Sequence, residues 1–542
     1  MSGSLDGAVF DYIIVGAGSA GCVLANRLSA DPSRRVLLIE AGPPDSYIWI
    51  HIPVGYFKTM HNPRTDWCMT TEPDPGLNGR RLQWPRGRVL GGSSSINGLL
   101  YVRGQAEDYD QWRQLGCTGW SYDDVLPFFR RSEDQERGED AFHGVGGPLA
   151  VSDMRVRRDV CDAYIAAAEE VGIPRNDDCN GTTQEGAGYF QLTARNGRRC
   201  SAAVGYLNPV KRRPNLRIVT GALVHRVVIE DGRATGVDVQ AGDAVWRVQA
   251  AGEVLLSAGA INSPHLLELS GIGRGGVLRD IGVPMVQELP GVGENLQDHL
   301  QARSVYKSSR PTLNDEVNHP VRKVMMGLDY ILRRRGPMTM GASQVCIFAR
   351  THPSKATPDV QFHIQPLSAD KPGDGLHRYS AFTASVCQLR PESRGRLVPR
   401  SADPRQGVAI HANYLATLTD QQTLVAGMKL ARCLAATRAL KPYITEELAP
   451  GPAVQTDEEL LRNARDTATT IYHPVGTCRM GDGPGAVVDV RLRVHGVQAL
   501  RVVDASVMPT LVSGNTNAPA IMIGEKAAAM ILEDTRAGAA IR

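Results

Sequence analysis

Two short apolar runs near the start of the chain enclose a helical pattern. Residues 12–15 and 36–39 are β-prone, and residues 20–29 between them carry their apolar side chains on one face. This strand–helix–strand unit is typical of a parallel α/β sheet. Two more buried strands are predicted far downstream, at 254–257 and 500–503, and a turn of small residues follows each. Strands that end in tight turns at one edge form a ligand crevice there.

The middle of the chain, residues 306–460, has a different pattern. Alternation at 360–364, 381–389 and 395–398 predicts antiparallel strands with one covered face. A long helix follows, which Thr419 is predicted to cap together with Gln422. Its buried stripe is predicted to consist of Leu424, Met428, Ala431 and Ala435. We interpret this region as a second domain inserted into the first.

Composition narrows the function classes without selecting one. A chain of 542 residues is long enough for two domains. The net charge of +3, from 60 basic and 57 acidic side chains, gives no electrostatic argument for nucleic acid. Two short basic runs, 211–213 and 333–335, favour a solvated surface over a lipid contact.

The cysteines and the N-terminus bear on cellular location. Ten cysteines occur without any Cys-x-x-Cys pair, which favours reduced thiols over disulfides and predicts no metal site. No signal peptide precedes the first strand, and the uncharged stretch 12–26 is too short and glycine-rich for a membrane span. We therefore expect a cytoplasmic protein without a transmembrane segment; peripheral attachment to the inner membrane stays open.

The first motif that carries chemistry follows the first strand directly. Gly16, Gly18 and Gly21 match the glycine spacing that lets a backbone approach a pyrophosphate at a helix N-terminus. Glu40 closes the next strand, where a carboxylate can bond both hydroxyls of an adenosine ribose. The same carboxylate would repel a 2′-phosphate, so NADP is disfavoured. The motif alone does not separate NAD from FAD.

Four further motifs identify the cofactor by resemblance. A glycine/serine cluster spans 87–98, a second runs over 259–273, and two C-terminal runs occupy 472–480 and 514–519. Together they resemble the signature patterns of the glucose–methanol–choline (GMC) oxidoreductase family. The chain is most similar to the bacterial choline dehydrogenase and alcohol dehydrogenase branch, from about residue 10 to 530.

The resemblance implies a flavoenzyme that holds an elongated FAD. Some relatives attach FAD covalently through a histidine of the first glycine/serine cluster, and Ile96 occupies that position here. We therefore expect non-covalent FAD. By position, the cofactor-binding residues are Gly16, Gly18, Ser19, Ala20, Gly21, Glu40, Trp67, Gly91, Ser95, Asn97, Gly98, Leu99, Val224, Asp504, Ala505, Asn517 and Pro519.

Oxidation of an alcohol by hydride removal also requires a base for the hydroxyl proton. Imidazole has a suitable pKa, and the resemblance implies that His473 is this base and that Asn517 stabilises the developing alkoxide. Ile471 and Tyr472 precede the base and are expected to wall the substrate. His299 has no comparable context and is predicted to be structural.

The predicted fold is α/β, with a Rossmann-like FAD-binding domain and an inserted substrate domain built on an antiparallel sheet. Segments 8–155, 201–305 and 461–542 are assigned to the first domain, and 156–200 and 306–460 to the second. The predicted reaction is FAD-dependent oxidation of a small primary alcohol to an aldehyde, with a quinone, a redox protein or oxygen as electron acceptor. Choline dehydrogenase, a non-redox hydroxynitrile-lyase-like enzyme, a nicotinamide dehydrogenase and a flavin-containing binding protein are the alternatives.

Overall fold

The computed structural model describes residues 5–370 and 375–540. Most of its strands belong to two seven-stranded sheets, and the others form two-stranded ribbons. In chain order the strands are β1 (Val9–Val15), β2 (Val36–Glu40), β3 (Met69–Thr70), β4 (Gln83–Trp84), β5 (Glu133–Gln135), β6 (Leu149–Val151), β7 (Gly186–Tyr189), β8 (Ala194–Arg195), β9 (Arg198–Arg199), β10 (Leu216–Thr220), β11 (Ala222–Glu230), β12 (Arg233–Ala241), β13 (Ala244–Leu256), β14 (Ile272–Gly273), β15 (Gln287–Glu288), β16 (Leu300–Ser308), β17 (Val345–Ala349), β18 (Val360–Gln365), β19 (Ala381–Gln388), β20 (Arg396–Pro399), β21 (Val408–His411), β22 (Ile444–Ala449), β23 (Thr469–Thr470) and β24 (Leu500–Val502).

The α-helices cover both sheets and form the connections between strands. In chain order they are α1 (Ser19–Leu28), α2 (Ile48–His51), α3 (Tyr56–Thr59), α4 (Ala106–Gln114), α5 (Tyr122–Ser132), α6 (Asp159–Glu170), α7 (Gly259–Leu269), α8 (Gly275–Asp280), α9 (Leu313–Asn318), α10 (Pro320–Arg333), α11 (Leu418–Ala435), α12 (Asp457–Thr467) and α13 (Asn517–Ala540). None of the described helices is both long and apolar enough to cross a membrane.

The first sheet is parallel at its centre. Strand β1 lies between β2 and β13, and β2 continues to β10, all in parallel. The C-terminal half of β13 also pairs in parallel with β24, so β1, β2, β13 and β24 end at one edge. Helix α1 packs against this sheet and against α13, and its contact side is almost entirely buried. The strand–helix–strand unit and both downstream strands are thus found where the hydrophobic pattern predicts them.

The second sheet is antiparallel and joins strands from distant parts of the chain. Its order is β22-β16-β19-β18-β17-β7, with β23 paired to β16. The predicted α/β class with an antiparallel second sheet is therefore confirmed. Strands β18 and β19 are buried almost throughout rather than on one face, since α6 and α11 cover one side of the sheet and the cavity described below lies on the other. The five-segment division of the chain remains a prediction.

Of two local predictions in this region, one is wrong and one is confirmed. Helix α11 is capped by Thr417, whose side chain accepts the Asp420 N–H, so Thr419 lies inside the helix and forms no cap with Gln422. The error is one of spacing, because Thr417 and Thr419 both precede the same apolar stripe. The strand predicted at 395–398 is present as β20, which has one covered face and pairs antiparallel with β21 in a ribbon separate from the large sheet.

Candidate active site

A cavity of about 690 Å³ lies between the two sheets. One end is lined by the turn after β1 and by the end of β2, and the other end is lined by His473 and Asn515. Its volume lies within the range of cofactor and substrate pockets. The predicted nucleotide motif and the predicted base therefore share one continuous space.

At two glycines of the turn after β1, neighbouring backbone atoms lie too close to leave room for a side chain. Gly16 has a φ of 99°, and a Cβ on it would lie 2.5 Å from the Ser257 carbonyl oxygen. A Cβ on Gly21 would lie 1.9 Å from the Gly16 carbonyl oxygen, so the third glycine lets α1 pack against the turn rather than lining the cavity. A side chain at either position would displace the turn from which the first N–H groups of α1 face the cavity.

Glu40 is buried at the end of β2 and forms part of the cavity wall. Its Oε2 accepts the Ala17 N–H at 3.0 Å, and its Oε1 accepts the Gly42 N–H at 2.8 Å. Burial raises the pKa of this carboxyl to about 7, while the two N–H donors act in the opposite direction. Each carboxylate oxygen retains a further lone pair, which suits it to accept ribose hydroxyls.

Most of the predicted cofactor residues lie at the cavity surface. Those that line it are Gly16, Gly18, Ser19, Ala20, Glu40, Trp67, Asn97, Gly98, Leu99, Val224, Asp504, Ala505 and Asn517. Gly21, Gly91, Ser95 and Pro519 lie behind the wall and shape it. The Gly91 N–H donates to the Ala17 carbonyl, and the Ser95 hydroxyl donates to the Leu90 carbonyl. The first contact joins the glycine/serine cluster to the turn after β1, and the second lies within the cluster.

The residues present fit a bound dinucleotide. The cavity, the turn that excludes a side chain and the buried carboxylate in the cavity wall are the features that an adenosine and a pyrophosphate require. Asp504 closes the wall near the middle by accepting the Gly259 N–H at 2.9 Å and the Ser263 hydroxyl at 2.5 Å. FAD would thus be held by three separate turns of the chain.

The loop that carries His473 is held by the Asp298–His299 dipeptide. The Asp298 carboxylate accepts the His473 N–H at 2.7 Å and the Thr470 hydroxyl at 2.5 Å. The ring of His299 lies edge-on to the ring of His473, with the two Nδ1 atoms 3.0 Å apart. His299, which is predicted from the sequence to be structural, thus contacts the predicted base directly. Its contact spans 174 positions of sequence, and no local pattern indicates it.

This contact sets the tautomer of His473. The His299 Nε2 lies 2.9 Å from the Leu389 carbonyl oxygen, which only accepts, so Nε2 carries the proton. The Nδ1 of neutral His299 is then an acceptor, and the Nδ1 of His473 must be the donor in the 3.0 Å contact. The Nε2 of His473 is left with a lone pair. A lone pair on this atom is what a proton acceptor requires.

Asn515, and not Asn517, is the asparagine beside this lone pair. Its Nδ2 lies 3.1 Å from the His473 Nε2, and its Oδ1 has no hydrogen-bond partner. Asn517 is the first residue of α13, and its Oδ1 accepts the Ser19 hydroxyl at 2.7 Å. The choice of Asn517 as the partner of the base is therefore corrected. The run 514–517 contains two asparagines two positions apart, and spacing cannot tell which of them turns toward His473.

His473 is neutral at physiological pH. Burial holds its pKa well below the ordinary range, and His299, His363 and Arg86 act in the same direction. Burial also lowers the pKa of His299 to about 4 and that of His363 to about 3. The histidines around the cavity are thus uncharged, as the hydrogen-bond chain requires.

Ile471 and Tyr472 line the cavity next to His473, where the sequence places them. Tyr472 has a φ of 70°, a left-handed conformation that costs a residue with a side chain about 1–2 kcal/mol. The Arg86 guanidinium donates to the Tyr472 carbonyl at 2.7 Å and holds this conformation. Burial raises the pKa of the Tyr472 phenol to about 12, so it remains protonated.

The opposite wall carries a polar row that sequence reasoning missed. His363, Ser385 and Arg303 are opposite one another on β18, β19 and β16, and all three line the cavity. The His363 Nε2 and the Ser385 hydroxyl are buried without a hydrogen-bond partner. The sequence shows the alternation along these strands but not the order of the strands in the sheet. The row therefore could not be predicted from the sequence.

Comparison with known proteins identifies the family. Models of the GMC oxidoreductase N- and C-terminal domains match residues 10–301 and 391–524. The chain belongs to the GMC oxidoreductase family. It is 43% identical over 528 residues to an alcohol dehydrogenase [acceptor] of Pseudomonas putida, with 97% of this chain and 96% of the relative covered. It is 44% identical over 531 residues to the mitochondrial choline dehydrogenase of Homo sapiens, with 96% and 89% covered.

A solved structure agrees with this assignment. Pyridoxine 4-oxidase from Mesorbium loti superimposes with a TM-score of 0.88 at 32% identity, covering 97% of this chain and 99% of that one. The family resemblance expected from the motifs is confirmed. As a GMC oxidoreductase, the protein is an FAD-dependent oxidoreductase that acts on CH–OH groups.

Proposed function

We propose that the protein oxidises a primary alcohol to an aldehyde, with His473 as the base and Asn515 as its partner. The observation that carries this proposal is the 3.1 Å contact between the Asn515 Nδ2 and the His473 Nε2 at the cavity wall. Bound FAD would supply the hydride acceptor. In the structure the amide N–H donates to the Nε2 lone pair. A bound alcohol would take the place of the amide on Nε2 through its hydroxyl hydrogen, while the amide donates to the carbinol oxygen.

The residues of the chain have separate roles in proton transfer, in stabilisation of the oxygen and in cofactor binding. The neutral His473 accepts the hydroxyl proton at Nε2, and its Nδ1–H keeps its hydrogen bond to His299. The Asn515 amide donates to the oxygen as negative charge develops there. Gly16, Gly18, Ser19, Ala20, Glu40 and Asn517 hold the cofactor by its nucleotide and phosphate parts, and Trp67 and Val224 flank its adenine.

We further propose an uncharged substrate. Among the cavity-lining residues that the structure describes, the carboxylates are Glu40 and Asp504, which belong to the cofactor half. The substrate half, which is the part of the cavity around His473 and the row of His363, Ser385 and Arg303, has no carboxylate among its described lining residues. A quaternary ammonium would therefore find no counter-ion among these residues, whereas a neutral alcohol can form a hydrogen bond with the unpartnered Nε2 of His363 or with the Ser385 hydroxyl.

Anaerobic reduction of the bound flavin by alcohols tests the reaction. Hexanol and benzyl alcohol should bleach the flavin, and His473→Ala should slow the bleaching by about 10²- to 10⁴-fold while FAD stays bound. Asn515→Ala should slow it less, since one hydrogen bond is a smaller contribution than a base. If the flavin bound to His473→Ala were bleached at the wild-type rate, His473 would not be the base.

Choline is the second candidate substrate. The 44% identity to human choline dehydrogenase favours it, and Tyr56, Phe57 and Tyr472 line the cavity with aromatic faces on which an ammonium group can lie. The kcat/KM values for choline and for hexanol, compared on the same preparation, decide between the two. A higher value for choline would refute the uncharged-substrate proposal.

We also propose that FAD is bound without a covalent link and that the acceptor is a carrier other than oxygen. Ile96 lines the cavity at the position expected for a linking histidine and offers no nucleophile. Acid precipitation should release all flavin to the supernatant. The acceptor proposal rests on likeness to the alcohol dehydrogenase [acceptor], and peroxide formed at the rate of dye reduction would overturn it.

A further inference from the structure

Helix α10 presents an apolar face to solvent. Six of its side chains are large, hydrophobic and between 45% and 77% exposed, and they recur at helical spacing: Val321, Val324, Met325, Leu328, Ile331 and Leu332. At 100° per residue they span about 120° of the helix surface. The inward side is narrow and rests on Met326 and on Tyr330, whose hydroxyl donates to the Gly197 carbonyl. A contiguous apolar face of this kind is unusual on a protein with no partner.

Basic side chains surround this face. Arg322, Lys323, Arg333, Arg334 and Arg335 lie within residues 320–335, where Asp329 is the one acidic residue, so the segment has a net charge of +4. Among the described residues, the only ion pair of these cations joins Arg333 to Asp329 at 3.9 Å. An amphipathic helix with a strong apolar face and flanking cations matches the surface of an anionic bilayer.

We propose that α10 binds peripherally to an anionic lipid bilayer, with its apolar face in the interface and its cations against the headgroups. For the basic run 333–335 this replaces the solvated surface expected from the charge pattern, because the run ends a helix whose apolar face is exposed. The helix has 14 residues and is about 21 Å long, so it lies in the interface rather than crossing the bilayer. A second copy of the chain fits less well, because pairing two such faces would bring two patches of +4 together.

The helix also adjoins the active site. Met326 and Phe57 pack against the same small cluster of Leu313, Met340 and Leu367. Phe57 and Leu367 are in turn part of the cavity wall. Membrane contact through α10 would therefore place this side of the cavity next to the lipid.

Flotation of the FAD-loaded enzyme with lipid vesicles tests the proposal. Wild-type protein should float with vesicles of phosphatidylcholine and phosphatidylglycerol, bind less to pure phosphatidylcholine, and dissociate as salt is raised. Arg322→Gln/Lys323→Gln/Arg335→Gln should weaken binding to the anionic vesicles by roughly 100-fold, at about fivefold per charge. Ile331→Gln/Leu332→Gln should weaken binding to both kinds of vesicle by roughly tenfold or more.

Matched controls come from other exposed positions. Val245→Gln/Leu418→Gln removes two side chains that are 58% and 66% exposed elsewhere, and Lys211→Gln/Arg212→Gln removes charge from the other basic run. Both controls should float like the wild type, and every variant should retain FAD and its anaerobic reduction rate. Wild-type protein that does not float, or α10 variants that float like the controls, would overturn the proposal. So would a wild-type dimer that Ile331→Gln/Leu332→Gln converts to a monomer, since a second copy would then be the occupant.

Discussion

Replacement of His299 tests the hydrogen-bond chain that directs the lone pair of His473. In His299→Leu the Nδ1–H of His473 loses its acceptor in a site that is fully buried at position 299. An unsatisfied buried donor costs about 1–3 kcal/mol, which disfavours by that amount the tautomer whose Nε2 can accept a proton. Since about 1.36 kcal/mol corresponds to a factor of ten, the population of this tautomer and the rate fall together. We therefore expect flavin reduction to slow by roughly 5- to 150-fold, although residue 299 itself need not touch the alcohol.

A second variant separates this positioning role from packing. In His299→Gln one amide offers both an acceptor toward His473 and a donor toward the Leu389 carbonyl, so it should recover part of the rate. The assay is anaerobic rapid mixing with a saturating alcohol, read as flavin bleaching, because turnover would include reoxidation. FAD content and Tm serve as controls for folding. Equal rates for wild type and His299→Leu, with FAD fully retained, would refute the tautomer argument.

Three further predictions follow from the same geometry. Because burial keeps the pKa of His473 well below 6.5, the base is already neutral near pH 7. Flavin reduction should therefore be independent of pH from neutral upward and fall only in acid, and a rise centred near pH 7 would contradict this. Glu40→Gln should weaken FAD binding by roughly 10- to 100-fold in a titration of apoprotein, as expected for loss of hydrogen bonds to a charged group. Because the Glu40 pKa is about 7, wild-type affinity should also decline as pH falls through that value, and the variant should lack this decline. Asn517→Ala should release FAD more readily yet leave the reduction rate of bound flavin near normal, whereas Asn515→Ala should do the reverse; the same phenotype for both would contradict their separate placement.

The nucleotide half of the site could be predicted because its determinants are local. Gly16, Gly18 and Gly21 lie within six positions, and their strand, turn and helix follow directly from hydrophobic periodicity. To place Glu40, only the next strand, β2, had to be predicted as well. The parallel pairing of β1 with β2 brings the Glu40 carboxylate to the turn. Both predictions concern residues joined by the short β1–α1–β2 connection, whose geometry is restricted. They therefore required little knowledge of the rest of the fold.

The substrate half depends on contacts that no short segment encodes. His299 meets His473 because β16 pairs with β23, the short strand just before the 471–473 loop. His363, Ser385 and Arg303 form a row only through the strand order of the second sheet. Asn517 was chosen over Asn515 as the partner of His473 because the exact start of a helix cannot be read from the sequence. The helix begins at that residue, which turns its side chain toward Ser19 and leaves Asn515, in the preceding loop, to face the base.

The second sheet therefore does more than enclose the substrate. Leu389 directly follows β19 and His299 directly precedes β16, and these two strands pair antiparallel, so both parts of the tautomer chain are anchored on this sheet. The cofactor turns, in contrast, are anchored on the parallel sheet. In the proposed mechanism, holding the cofactor and directing the base thus depend on two different cores. A change that loosens the second sheet would reduce catalysis while the flavin contacts of the first remain, because the lone pair of His473 is directed from one core and FAD is held by the other.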